Sequence, residues 1–187
     1  MPVFERLIVK IAKALNREKI SYMVIGGQAV IVHGAPRFTR DIDITLGIDT
    51  DEAERIYKIA RELSLEPGKG VTKDFVKRNA LFSVEEQKTK VVVDFIFSFL
   101  PYERQAIERA VTIRLGKAEI RFATAEDTII HKLFAGRPLD IQDVKSIVNG
   151  NRKIDKKYLK KWLKDFSLHS GRDLVREYED IEKEIRG

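Results

Sequence analysis

Residues Gly26 to Asp43 read GGQAVIVHGAPRFTRDID, and the two acids that close this stretch decide how the chain is read. Asp41 to Leu46 (DIDITL) alternates acid and apolar residues, the period-2 pattern of a β-strand. On a strand Asp41 and Asp43 point to one face and Ile42 to the other. Two like charges on one face cost free energy unless something neutralises them. A hard cation does so, because magnesium takes oxygen ligands and favours carboxylates together with substrate phosphates. Just upstream, Ser21 to Ile25 reads as a short buried strand stopped by Gly26-Gly27. Gln28 to His33 follows as a short helix that Gly34-Ala35-Pro36 ends. Glycines let a backbone approach closely, and the N–H groups of a helix N-terminus favour anionic phosphate.

A third acid, Asp94, lies inside the apolar run VVVDFIF. A lone carboxylate there has no local partner and is expensive to bury. It makes sense if this strand lies beside the first and Asp94 joins Asp41 and Asp43. Three carboxylates around two metals ~3.5–4 Å apart suit an in-line phosphoryl displacement, since both attacking and leaving oxygens are stabilised. Each piece also has a plain reading: D-x-D occurs on solvated strand ends, Gly-Gly makes ordinary turns, and Asp94 could pair with an arginine. The ordered set of strand, Gly-Gly, short helix, R-x-T-x-D-I-D and a later apolar strand with one acid favours the metal reading.

Working outward, Phe4, Leu7, Ile8, Ile11 and Leu15 recur at helical spacing and predict an amphipathic first helix ending near Asn16. Asp49 and Glu52 give a capping signal for a helix burying Ile56, Tyr57, Ala60 and Leu63. Pro67-Gly68 and Gly70 mark a loop. Ala80 to Val84 and Lys90 to Phe97 predict an antiparallel pair, and Val111 to Leu115 with Ala118 to Phe122 a hairpin around Gly116-Lys117. From Thr124 onward the pattern is helical: Thr124 to Ala135 stopped by Gly136, then Pro138 to Val148, with Pro138 at a first helical position. Two more amphipathic helices follow, roughly Asp155 to Phe166 and Gly171 to Ile185. The expected fold class is therefore α+β: a mixed β-sheet flanked by helices, with C-terminal helices. The expected division is residues 1–123 as a sheet-containing core and 124–187 as a helical region packed on it.

Composition sets bounds. The 187 residues suit one domain with a small helical appendage. The greasiest stretch, Val91 to Leu100, is broken by Asp94 and falls short of the ~20 residues of a membrane helix, so no membrane partner is expected. The first residues, MPVFERLIVK, lack signal-peptide features, and a cytoplasmic location is expected. Absence of cysteine rules out disulfides, a thiolate nucleophile and Cys-type zinc sites. His33, His131 and His169 show no metal-ligand spacing. Between Arg152 and Lys164 stand seven basic residues and one acid, Asp155, so this segment accounts for the whole net charge of +6.

The glycine turn, the spacer and the D-x-D with a later acid resemble the polymerase-β-type nucleotidyltransferase superfamily. Within it the chain looks like the compact AbiEii/MenT-like branch, often associated with toxin–antitoxin pairs. A second run carries that likeness: ATAEDTIIHKL (Ala123 to Leu133), followed by Asp140-Ile141-Gln142-Asp143. Together the motifs cover roughly Ile20 to Val148. The resemblance implies the nucleotidyltransferase fold and transfer of a nucleotide from an NTP to an acceptor hydroxyl, with magnesium (or manganese) as cofactor. It implies Asp41, Asp43 and Asp94 as catalytic metal ligands, with Asp94 also activating the acceptor. It implies Gly26, Gly27, Arg37, Thr39, Arg40, Lys132 and Asp143 around the nucleotide, with Asp140 near Lys132. Many members have Gly-Ser where this chain has Gly26-Gly27, so a hydroxyl that would bond phosphate is missing and the grip falls to backbone N–H groups. On the residues alone, Asp127 is equally a capping acid, Asp140 and Asp143 equally complement a helix dipole, and Lys132 equally a solvated charge.

The basic segment bears on the acceptor. Ile154, Tyr158, Trp162 and Phe166 fall four apart as one apolar stripe, flanked by Lys156, Lys157, Lys160, Lys161 and Lys164. A plain amphipathic helix with snorkelling lysines accounts for the aromatics. The one-sided charge favours phosphates, so Lys156, Lys157, Lys160 and Lys161 are candidate RNA-binding residues and an RNA (tRNA) end is the preferred acceptor. A protein side chain is the other macromolecular acceptor, and a cognate antitoxin is a candidate partner. Two competing readings are a catalytically silent nucleotide- or RNA-binding module and a small-molecule (antibiotic) nucleotidyltransferase. The intact acid triad argues against the first and the basic helix against the second.

Overall fold

The computed structural model describes residues 3–98, 100–151 and 153–187. Phe99 and Arg152, counted above in an apolar and a basic run, lie outside the described residues, as do Met1 and Pro2 at the start of the N-terminal segment. The described residues divide into two compact units, one containing the chain up to Ile25 with Thr39–Phe122, the other Gly26–Phe38 with Ala123–Gly187.

The first unit is built on a seven-stranded mixed sheet. Its strands are β1 (Tyr22–Val24), β2 (Asp41–Leu46), β3 (Leu65–Pro67), β4 (Leu81–Glu86), β5 (Val92–Phe97), β6 (Val111–Leu115) and β7 (Ala118–Phe122), in the spatial order β3-β4-β5-β2-β1-β7-β6. β2 and β5 run parallel, β1 is antiparallel to β2, and β4 is antiparallel to β5. The expected β4–β5 and β6–β7 pairs both form as antiparallel ladders.

Strand alternation gives the centre of the sheet two different faces. Ile42, Ile44 and Leu46 of β2, Val93, Phe95 and Phe97 of β5, and Phe82 and Val84 of β4 fall on one face by register, and all are buried. This run of aliphatic and aromatic side chains is the core. Helix α3 (Ala53–Glu62) lies against it, its Tyr57 ring meeting Phe82 edge-on at 4.7 Å. Helix α1 (Val3–Arg17) buries Leu7, Ile8, Ile11 and Leu15, the stripe its spacing predicts, against β7 and α3. The other face of β2 and β5 carries the acids.

Three elements of this unit lie outside the sequence reading. β3 takes in Pro67, which an edge strand tolerates because no ladder partner needs its missing N–H. α4 (Lys73–Asn79) buries Val76 alone, so its seven residues carry no apolar period; its cue is Thr72, whose hydroxyl accepts from Phe75 N. α5 (Pro101–Arg109) starts with Pro101 in the first turn and with the Glu103 carboxylate accepting from Leu100 N at 3.1 Å.

The second unit is helical: α2 (Gly26–His33), α6 (Ala125–Ala135), α7 (Pro138–Gly150), α8 (Lys156–Ser170) and α9 (Leu174–Arg186). α6 is central and touches the other four. Its ends follow the sequence signals. Thr124 caps the start by accepting from Asp127 N, and Gly136 ends it at φ +66°, where its N–H reaches Lys132 O. α8 turns out rotated from the expected stripe. Tyr158, Leu159 and Leu163 face the interior, whereas Trp162 and Phe166 are half-buried. The leucines at i, i+4 win the core; Phe166 is left to stack edge-on with Phe134, and Trp162 lies under the Lys161 ammonium at 4.6 Å.

Candidate active site

In the first unit the parallel pairing of β2 and β5 sets Asp43 directly beside Asp94. Directly paired residues share a face, so Asp41, Asp43 and Asp94 stand on the same side of the sheet. On the other side of Asp94, antiparallel β4 places Ser83 in register, adding a hydroxyl-bearing residue to this face. Sequence reading misses Ser83 because its place depends on the β4–β5 register, which a five-residue polar connection does not fix.

The acids differ in surroundings. Asp41 is exposed, and its Oδ1 accepts from the Thr39 hydroxyl at 3.0 Å. Asp43 is half-buried, and its carbonyl accepts from Ile25 N at 2.9 Å, which ties the end of the β1 segment to the middle of β2. Asp94 is half-buried with its Oδ1 shielded from solvent and without a hydrogen-bond partner among the described residues. A shielded carboxylate oxygen with no donor costs free energy in a resting protein. Among the described residues no three histidine, aspartate or glutamate side chains gather closely enough to hold a metal ion by themselves. The three acids are ranged along one face rather than closed round a point. Arg40 is exposed beside them in sequence.

In the second unit α2 begins with Gly26 at φ +62°, a conformation L side chains rarely adopt, and Gly27 is buried. The same unit assembles Arg37, Lys132, Asp140 and Asp143 into one buried ion cluster. Lys132 Nζ lies 2.8 Å from Asp140 Oδ1 and 2.9 Å from Asp143 Oδ2, and Arg37 Nε lies 2.8 Å from Asp143 Oδ1. The two contacts to Asp143 are ion pairs by distance but out of line for hydrogen bonding. Burial alone would raise the Asp140 carboxyl, but hydrogen bonds from Arg137 and Lys132 outweigh it and hold its pKa below the ordinary value. Lys132 is thus a buried, paired charge rather than a solvated one. Asp127, the other acid of the run, is fully buried and accepts from the Thr124 hydroxyl and the Tyr158 hydroxyl, each at 2.7 Å. Its role is to fasten α8 to the start of α6.

The candidate RNA-binding lysines of α8 fall into two sets. Lys156 pairs with Glu182 at 2.9 Å and Lys160 with Glu179 at 2.6 Å, both on α9. Lys157 and Lys161 are exposed and make no such pair.

The chain shares its fold with several nucleotidyltransferases. An antigenic nucleotidyltransferase-like protein from Paracoccidioides brasiliensis superposes with a TM-score of 0.57 at 14% identity, covering 94% of this chain and 91% of that one. ANT(2″)-Ia in complex with adenylyl-2″-tobramycin gives 0.56 at 15% identity, covering 99% and 98%. MenT4, the nucleotidyltransferase toxin Rv2826c of Mycobacterium tuberculosis H37Rv, gives 0.51 at 12% identity, covering 88% of this chain and 63% of the toxin. No curated protein matches the chain in sequence. The chain belongs to the family described as nucleotidyltransferase of unknown function (DUF6036), which matches residues 4–186. The nucleotidyltransferase resemblance and the mixed-sheet fold class expected from the sequence are both borne out. Among the described residues no helix is long and apolar enough to cross a membrane.

Proposed function

We propose that this protein is a magnesium-dependent nucleotidyltransferase that moves a nucleotide from an NTP to a hydroxyl on a macromolecular acceptor, with an RNA end preferred. The observation that carries the reading is the register: parallel pairing of Asp43 with Asp94 ranges three carboxylates along one face. The fit to a divalent ion rests on the donor chemistry, three hard oxygen ligands, and on Asp94 Oδ1, a shielded anionic oxygen that lacks a partner. An open array of carboxylates suits magnesium, which keeps several waters and completes its shell with substrate phosphates. Manganese is the alternative ion. When bound, such ions neutralise the charge that develops on the attacking and leaving oxygens.

The protein's own residues supply the rest. Asp41 is held by the Thr39 hydroxyl, which fixes its rotamer. With Asp94 Oδ1 assigned to the ion, the other oxygen of the same carboxylate is the one we assign to receive the acceptor hydroxyl's proton. Lys132 has three N–H donors and spends one in a hydrogen bond to Asp140, while Asp143 pairs with it by charge alone, so a donor is left for a phosphate oxygen. Arg37 and Asp143 hold that lysine in place, while the N–H groups at the start of α2, opened by Gly26 and Gly27, suit phosphate. Arg40 is exposed next to the acids and adds positive charge on the phosphate side. The preference for RNA rests on Lys157 and Lys161, whose charges no acid among the described residues neutralises by an ion pair. By its resemblance to the MenT-like branch we place the protein as the toxin of a toxin–antitoxin pair, with a cognate antitoxin as partner.

The test is incubation with each α-phosphate-labelled NTP, magnesium and either total RNA or lysate. Label is expected in RNA with the wild type and absent with Asp43→Ala. Label confined to protein would move the acceptor to a side chain. No label with any NTP, or equal label with Asp43→Ala, would refute the transferase assignment.

A further inference from the structure

Far along the sheet from the carboxylates the first unit carries a second concavity. Where α1 ends, β1 begins and β2 runs out, a cavity of about 620 Å³ opens, lined among others by Lys19, Tyr22, Gly47, Arg104, Glu108 and Arg121. Tyr22 pairs with Leu46 on β2, three residues beyond Asp43, so this end lies roughly 10 Å from it at the rise of a strand. It is a different place from the three acids.

The lining holds three cations against one carboxylate. Arg121 is a fixed one: its Nη2 donates to the carbonyls of Ile107 at 2.9 Å and Glu108 at 3.1 Å, at the end of α5. Lys19 and Arg104 are exposed, and neither side chain pairs with an acid of the described residues. Arg104 and Glu108 stand one helical turn apart on α5 yet form no ion pair. Lys19 also sits at φ +53°, just past the end of α1. Glycine or asparagine adopts that backbone most cheaply, so a lysine there is kept at a cost. The helix dipole would account for a cation at this spot, but not for two more cations converging on the same cavity from α5 and β7.

The size and floor of the cavity narrow the ligand. Its volume lies within the roughly 300–1,000 Å³ of metabolite sites and is far larger than a bare anion requires. The buried residues Ile20, Tyr22 and Ile107 give it an apolar floor, and lysine and arginine at its rim suit phosphate oxygens. We propose that this cavity binds a small phosphomonoester with an organic body of nucleotide or sugar size, its phosphate held by Lys19, Arg104 and Arg121.

The test is titration of the ¹⁵N-labelled full chain, in EDTA, with adenosine 5′-monophosphate, glucose 6-phosphate and adenosine, following the amides of Ser21, Tyr22 and Gly47. Saturable shifts at these three positions are expected with at least one phosphomonoester and not with adenosine; which one binds separates a nucleotide from a sugar phosphate. Arg104→Gln is expected to weaken binding about tenfold, and Glu108→Gln, which removes the one lining carboxylate among the described residues, to tighten it. Asp43→Ala is expected to bind as the wild type does, so loss of nucleotidyl transfer leaves this site standing. Shifts absent from these amides with both phosphomonoesters, equal shifts with adenosine, or unchanged affinity in Arg104→Gln would each overturn the proposal.

Discussion

At the scale of single residues, Asp94 carries a conflict that function explains and stability does not. It stands beside Asp43 with a shielded, donorless oxygen, an arrangement that a protein selected only for its fold would remove. Asn at this position keeps the shape, relieves the like-charge pair and offers an N–H₂ to the neighbouring carboxylate. Relief of a directly opposed like-charge pair is worth up to about 1 kcal/mol, or roughly 2–4 °C in a protein of this length. Asp94→Asn is therefore expected to melt higher than the wild type in a thermal scan while losing nucleotidyl transfer. A variant that melts lower and still transfers would place the stabilising role first and remove Asp94 from the chemistry.

At the scale of elements, what was legible in the sequence is what local pattern dictates, and what was not depends on pairings between distant segments. DIDITL shows its two faces by alternation alone, and Thr124, Gly136 and Pro138 announce the ends of α6 and α7, where the structure puts caps and a first-turn proline. The lone acid in VVVDFIF signalled that β5 needed a partner for its charge, but only the ladder shows Asp94 abreast of Asp43 rather than Asp41. Ser83 and the Arg37–Asp143 pair were hidden for the same reason, since each joins segments whose register no local rule fixes. Short α4 left no period to read, and in α8 aromatic spacing suggested a stripe that Leu159 and Leu163 displace.

The buried cluster on α6 and α7 belongs to this scale too, because Lys132 and the two acids hold two helices together. Removing one partner of a buried pair leaves uncompensated charge and costs about 3–5 kcal/mol. Lys132→Met, which keeps the stem and deletes the charge beside Asp140 and Asp143, is expected to lose stability of that order in denaturant unfolding. Adding Asp143→Asn should recover part of the loss by removing a carboxylate left short of positive charge. A loss below about 1 kcal/mol would mean that Arg37 and Arg137 neutralise both acids without the lysine.

At the scale of the whole molecule, the charge excess of +6 has one source, the run that continues into α8, and the ion pairs to α9 divide that run. Lys156 and Lys160 already neutralise Glu182 and Glu179, whose carboxyls lie below their ordinary pKa, Glu182 against the upward pull of its burial and Glu179 chiefly through its bond to Lys160. A phosphate must compete with those acids for either lysine, whereas Lys157 and Lys161 meet it without such competition. Each lysine that neutralises a phosphate contributes roughly 0.7–0.9 to the slope of log K against log salt. Lys157→Gln with Lys161→Gln is therefore expected to flatten that slope for a tRNA by about 1.4–1.8, measured across roughly 50–200 mM salt. Lys156→Gln with Lys160→Gln is expected to change it by less than half as much and to lower the melting temperature instead, because α9 loses its tethers. Equal slopes for the two double variants would show that the ion pairs to α9 do not set which lysines meet RNA, and no change in either would return α8 to a purely structural role.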